Sequence, residues 1–115
     1  MVRKPIIEHA ECIAGGKGPA IFHNVITNEE FGKAGSFYAK VILPPGSTVG
    51  YHQHDGETEP YYVVAGKGIF VDTDGSRIPI GPGDVCVLKD KEYHGIENAS
   101  ETEDLEFMAL IYNLL

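Results

Sequence analysis

Cysteine is scarce and poorly placed for pairing chemistry. Only Cys12 and Cys86 occur, far apart and with no Cys-x-x-Cys spacing, which excludes a zinc ribbon or a dithiol redox motif. Cys86 lies in the run Val85-Cys86-Val87-Leu88 and is expected to be a small buried hydrophobe rather than a nucleophile. No apolar stretch approaches the roughly 20 residues of a membrane-spanning helix. Residues Met1 to Ala10 carry Arg3, Lys4 and Glu8 in place of a signal-peptide hydrophobic core, so the expectation is a soluble, cytoplasmic protein with no membrane partner. Positive charge is short as well. Nine Lys plus Arg against 17 Asp plus Glu give a formal charge of -8, which repels a phosphate backbone and argues against nucleic acid as a partner. Repeats, linkers and low-complexity tracts are also missing.

What remains is a chain of 115 residues, long enough for one core and read as a single domain over 1–115. A chain of this size buries roughly two-thirds of its unfolded surface, so it does not need a metal as a staple. Short β-prone runs broken by Gly and Pro fill nearly all of it: 20–27, 36–43, 48–54, 59–65, 68–72, 77–80, 84–89, 93–98 and 104–112. That is eight or nine strands, the pattern of an all-β sandwich or barrel. Asp74-Gly75 marks a hairpin turn, and Thr27-Asn28-Glu29-Glu30 has capping-box spacing for a helix that Gly32 and Gly35 stop early. The last strand is apolar on both faces from Phe107 onward. It therefore needs a cover on its outer side, either an N-terminal segment or the second subunit of a homodimer.

The chemistry gathers in two places. His52 and His54 are one residue apart on a predicted strand, where the period of two turns both imidazoles to one face. After a short acidic loop, Glu59, Tyr61 and Val63 share the face of the next strand, so Glu59 can add an oxygen donor. His94, on a remote strand, offers a third imidazole that barrel closure could bring close. Three imidazoles and a carboxylate suit one divalent transition ion, Fe, Mn, Ni, Co or Zn, better than calcium or magnesium. Glu57 is the rival carboxylate, but it follows Gly56 in the loop and is read, with Asp55, as a solvated charge. His9 and His23 lack ligand spacing.

These residues carry a resemblance. The pattern Gly46-x5-His52-x-His54-x4-Glu59-x6-Gly66 matches the first motif of the cupin family at every spacing, and Gly83-x5-Lys89-x-Lys91-x2-His94-x3-Asn98 resembles the second. The stretch 67–82 between them is close to the short spacer of compact, microbial-type cupins. The resemblance covers 46–98 and implies a cupin double-stranded β-helix, or jelly-roll barrel, with His52, His54, Glu59 and His94 as metal ligands. Lys89 and Lys91 depart from it, standing where the family has Pro and Gly, so the turn into His94 is expected to be built differently.

Two functions follow as expectations. One is a metal-dependent enzyme on a small oxygen-bearing substrate, dioxygenase-like or isomerase-like by family analogy, with Tyr61 as a candidate proton donor. The other is a binding module that uses the metal to anchor a sugar or carboxylate without turnover, since no nucleophile and base pair accompanies the ligands. Each imidazole must be neutral to bind, so metal release is expected below about pH 6.

Overall fold

The computed structural model describes all 115 residues. Ten strands carry the chain: β1 (Ile6–Glu11), β2 (Pro19–Asn24), β3 (Gly35–Leu43), β4 (Thr48–Gln53), β5 (Glu57–Ala65), β6 (Gly68–Val71), β7 (Arg77–Ile80), β8 (Val85–Leu88), β9 (Tyr93–Asn98) and β10 (Leu105–Asn113). They form a six-stranded sheet in the order β1-β2-β3-β10-β5-β8 and a four-stranded sheet in the order β4-β9-β6-β7. Every pairing is antiparallel. This is the all-β jelly roll that the strand pattern predicts.

Alternation along the strands builds the core. Ala39, Val41 and Leu43 on β3, Tyr61 and Val63 on β5, and Leu105, Phe107 and Ala109 on β10 are all buried at every second position, as a pleated strand with one covered face requires. Val49, Phe70, Ile80 and Ile96 from the smaller sheet join the same apolar cluster. The capping box forms as expected at α1 (Asn28–Phe31). The Thr27 amide donates to Glu30 Oε1 at 2.9 Å and the Glu30 amide to Thr27 Oγ1 at 3.2 Å.

Two expectations need correction. The first strand, β1, lies in a stretch whose side chains are nearly all exposed. Burial leaves no periodic signal there, because the segment is held by its ladder to β2, from Ile6 opposite Asn24 to Glu11 opposite Pro19. It extends the edge of the large sheet, while the segment before it, Met1 to Pro5, shares a groove with Lys40 and with Met108 of β10. The turn into His94 also differs from expectation: Lys91 adopts the left-handed conformation itself (φ 66), so a lysine holds the backbone shape that a glycine would adopt freely.

Candidate metal centre

Both sheets and the connection between them contribute to the site. His52 on β4 stands directly opposite His94 on β9. A register shift between Val49 and His52 bends the strand there, and bulges of this kind re-aim side chains. Gly50, inside that shift, turns its carbonyl to accept a hydrogen bond from His52 Nδ1 at 2.6 Å. A Cβ on Gly50 would stand 2.1 Å from the Ala14 carbonyl oxygen, so this close approach admits only glycine. His54 follows β4, and its carbonyl accepts from the Lys91 amide at 2.8 Å, which ties the unusual turn to the ligand loop. Glu59 arrives from the inner face of β5, in the other sheet, and is 5% exposed.

The four sequence-predicted ligands meet. One donor atom from each of His52, His54, Glu59 and His94 lies within 4.8 Å of all the others. His52 Nε2 is 2.9 Å from His54 Nε2. Glu59 Oε1 is 3.2 Å from His54 Nε2 and 3.1 Å from His94 Nε2. The outer contacts decide what these atoms are. His52 Nδ1 faces a carbonyl and His54 Nδ1 faces the Glu57 carboxylate. Both partners only accept, so each Nδ1 carries the proton and, in the neutral rings, each Nε2 is a bare lone pair. Two such lone pairs beside a buried carboxylate oxygen repel unless a proton or a cation lies among them. The donor set therefore fits a first-row divalent ion.

The electrostatics agree. In the metal-free cluster the hydrogen bond to Glu59, reinforced by Glu57, raises the pKa of His54 to about 9 in spite of its burial. Burial works to raise the pKa of Glu59, but hydrogen bonds from His54 and His94 outweigh it and hold the group below the usual carboxylate value. Burial is the main cause that lowers the pKa of His52.

Glu57 is the correction at this site. β5 begins two residues earlier than expected, and Glu57 is a half-buried partner of His54 Nδ1, not a solvated loop charge. Carboxylates in this outer position fix a ligating imidazole's tautomer and raise its basicity. Tyr61 is buried and stacks on His94 with ring centroids 5.2 Å apart, its Oη 3.5 Å from His94 Nε2. Burial lifts its pKa well above 10, so it stays a neutral hydroxyl. Lys89 and Lys91 are exposed, His9 is exposed, and His23 lies on the outer face away from the cluster. Cys86 is buried, and burial pushes its thiol to about 11, consistent with an inert hydrophobe.

His52, His54 and Glu59 of the cluster line a cavity of about 210 Å³, nine of whose twelve lining residues are hydrophobic. Its other walls include Ile13, Phe22, Phe37, Phe107 and Ile111. Sequence reasoning did not single these out, because strand alternation marks an inward side chain without saying whether it meets a neighbour or a void.

Comparison with known proteins places the chain in a family. A family model described as a cupin domain matches residues 39–111, and the protein belongs to the cupins. An oxalate-binding protein of Thermotoga maritima is 42% identical over 104 residues, covering 90% of this chain and 84% of that protein. A crystal structure from the same organism, described as a predicted oxalate decarboxylase, superposes with a TM-score of 0.89 at 41% identity over 99% of both chains. A Klebsiella pneumoniae structure with a double-stranded β-helix domain shares the fold, with a TM-score of 0.68 at 21% identity over 82% of this chain and 72% of that one.

Proposed function

We propose that this protein is a metal-anchored binder of small carboxylates. One observation carries the reading: the titratable groups lining the cavity are His52, His54, Glu59 and Tyr61 alone. Three of these are candidate ligands, and the fourth is a hydroxyl that burial keeps un-ionised at neutral pH. The cavity is thus equipped to coordinate and poor in acid–base machinery, which favours binding over the enzymatic alternatives of oxygenase or isomerase chemistry. His52, His54, Glu59 and His94 would hold the ion, which would supply a positive pole for carboxylate oxygens. Tyr61 Oη donates to a ligand oxygen, and the apolar walls exclude water and strengthen that contact. The oxalate-binding relative supports carboxylate as the ligand class.

The test is calorimetric titration of oxalate into the protein loaded with Mn, Co, Ni, Fe or Zn, with product analysis in parallel. The expected result is about one ion per chain and oxalate binding that vanishes after chelation. Conversion of oxalate would instead establish an enzyme, and metal-independent binding would reject the anchor.

A homodimer is the second part of the proposal. Tyr62, Val64, Val85 and Val87 on the outer face of the large sheet are 51, 41, 63 and 45% exposed, beside Tyr38, Met108 and Leu110. A continuous apolar face of this kind favours a partner. Lys40 and Glu106 pair on the same side at 3.2 Å and offer both signs of charge to a self-complementary two-fold contact. Sedimentation at micromolar concentration should give a dimer that Val85→Asp weakens. A monomeric wild-type protein would overturn it.

A further inference from the structure

The cavity has two unlike poles, and their chemistry selects among carboxylates. At one pole stand the ligands and the Tyr61 hydroxyl. The rest of the lining includes Ile13, Phe22, Phe37 and Ile111, with the Phe107 ring beside Tyr61 at a centroid distance of 4.6 Å, and none of these side chains can donate a hydrogen bond. No lysine or arginine reaches the space, so a second carboxylate finds no countercharge there. Phe22 and Phe37 meet edge to face with centroids 5.3 Å apart and brace each other as a rigid apolar wall.

We propose, building on the carboxylate reading above, that the preferred ligand is a short 2-oxo acid with a branched aliphatic tail, not a tail-less diacid. A diacid that chelated through one oxygen of each carboxylate would leave two anionic oxygens to be satisfied, and the walls provide one neutral donor, Tyr61 Oη, which must turn from Glu59 and His94 Nε2 to serve one of them. The other would lie against phenylalanine and isoleucine, where an unpaired charge costs far more than it returns. A 2-oxo acid chelates through its keto oxygen and one carboxylate oxygen, so only one anionic oxygen remains and Tyr61 serves it. Its tail then covers the apolar pole. Size agrees, because an apolar cavity of about 150 Å³ accepts benzene, and 210 Å³ has room for a carboxylate head with a few aliphatic carbons.

The experiment uses the full chain loaded with one metal and three probes: 2-oxopropanoate, 4-methyl-2-oxopentanoate and oxalate. The first two share a head group, so their difference reads the apolar pole alone. Each buried methylene is worth about fourfold in affinity, which predicts 4-methyl-2-oxopentanoate binding at least tenfold more tightly than 2-oxopropanoate and more tightly than oxalate. Ile111→Asn, which sets an amide in the wall, should bring the ratio of the two oxo acids toward one. The wild-type series stands whether or not that variant folds. Equal affinity for the two oxo acids, or oxalate as the tightest ligand, overturns this inference and leaves carboxylate binding intact. Failure of all three to bind the loaded protein overturns both.

Discussion

Two imidazole nitrogens 2.9 Å apart, each on a ring whose other nitrogen donates to an acceptor, set the terms at the scale of single residues. Glu57 helps to create that condition, so its removal has a defined cost. Glu57→Ala should lower metal affinity about ten- to a hundredfold, whereas Glu57→Gln, whose amide oxygen still accepts from His54 Nδ1, should recover most of it. Competition against a metal-sensitive dye measures both. The same contacts set the pH dependence. His54 in the metal-free cluster is protonated up to about pH 9, well above the ordinary histidine value near 6.5, and an incoming ion must displace that proton. Apparent affinity should therefore climb about tenfold per pH unit from 7 to 9 and then level off, with about one proton released per ion in calorimetry across buffers of different ionisation enthalpy. Because the folded-state pKa is raised, this proton stabilises the metal-free protein fully below pH 6.5, and the benefit is lost as pH passes 9. The sequence-based expectation of metal loss below about pH 6 thus moves upward. The gathering of His52, His54, Glu59 and His94 was legible in the sequence, since strand alternation and motif spacing bring them together. Glu57 was not, because its role depends on where β5 starts, and strand boundaries are the least readable feature of a chain.

At the scale of elements, the turn before β9 holds a position that carries strain. A left-handed backbone at Lys91 (φ 66) costs roughly 1–2 kcal/mol for a residue with a Cβ, and glycine returns part of this by its freer unfolded chain. Lys91→Gly should stabilise the protein by up to about 1 kcal/mol, read as a higher urea midpoint with unchanged slope. The departure from the family pattern at this position was visible in the sequence, but its outcome was not. Hydrogen bonds from the Lys91 amide to the His54 carbonyl and from Gln53 Nε2 to the Lys91 carbonyl hold the turn in the glycine-like shape, and these are tertiary contacts. Asn98 shows the reverse case. Its place in the motif was legible, and the structure supplies the reason: its buried amide donates to the carbonyls of Leu43 and Glu103, each at 2.8 Å, closing the smaller sheet against the ends of β3 and the loop before β10. The edge strand β1 stayed hidden because exposure on both faces leaves no periodicity to read.

For the whole molecule, the candidate ligands come from both sheets. His52 and His94 belong to the four-stranded sheet and Glu59 to the six-stranded sheet, so an ion bound by all three favours the folded state and nothing in the unfolded chain competes on equal terms. At a free metal concentration a hundred times its dissociation constant, the gain is about 2.7 kcal/mol. Addition of a strong chelator should lower the thermal midpoint by several degrees, and readdition of metal should restore it. A midpoint indifferent to chelation would mean that the ion, if bound, bridges nothing. The jelly roll itself was readable from strand spacing and turn chemistry. The cavity was not, because a void is a property of how two sheets close on each other.

The ion pole comes from residues 52–94, while most of the greasy wall comes from outside that stretch: Ile13 and Phe22 near the start, Phe37 on β3, Phe107 and Ile111 on β10. On the proposed reading, anchoring and choice of guest would therefore be written in separate portions of the chain. A transplanted stretch from Ile13 to Phe22 would then be a short route to a different guest.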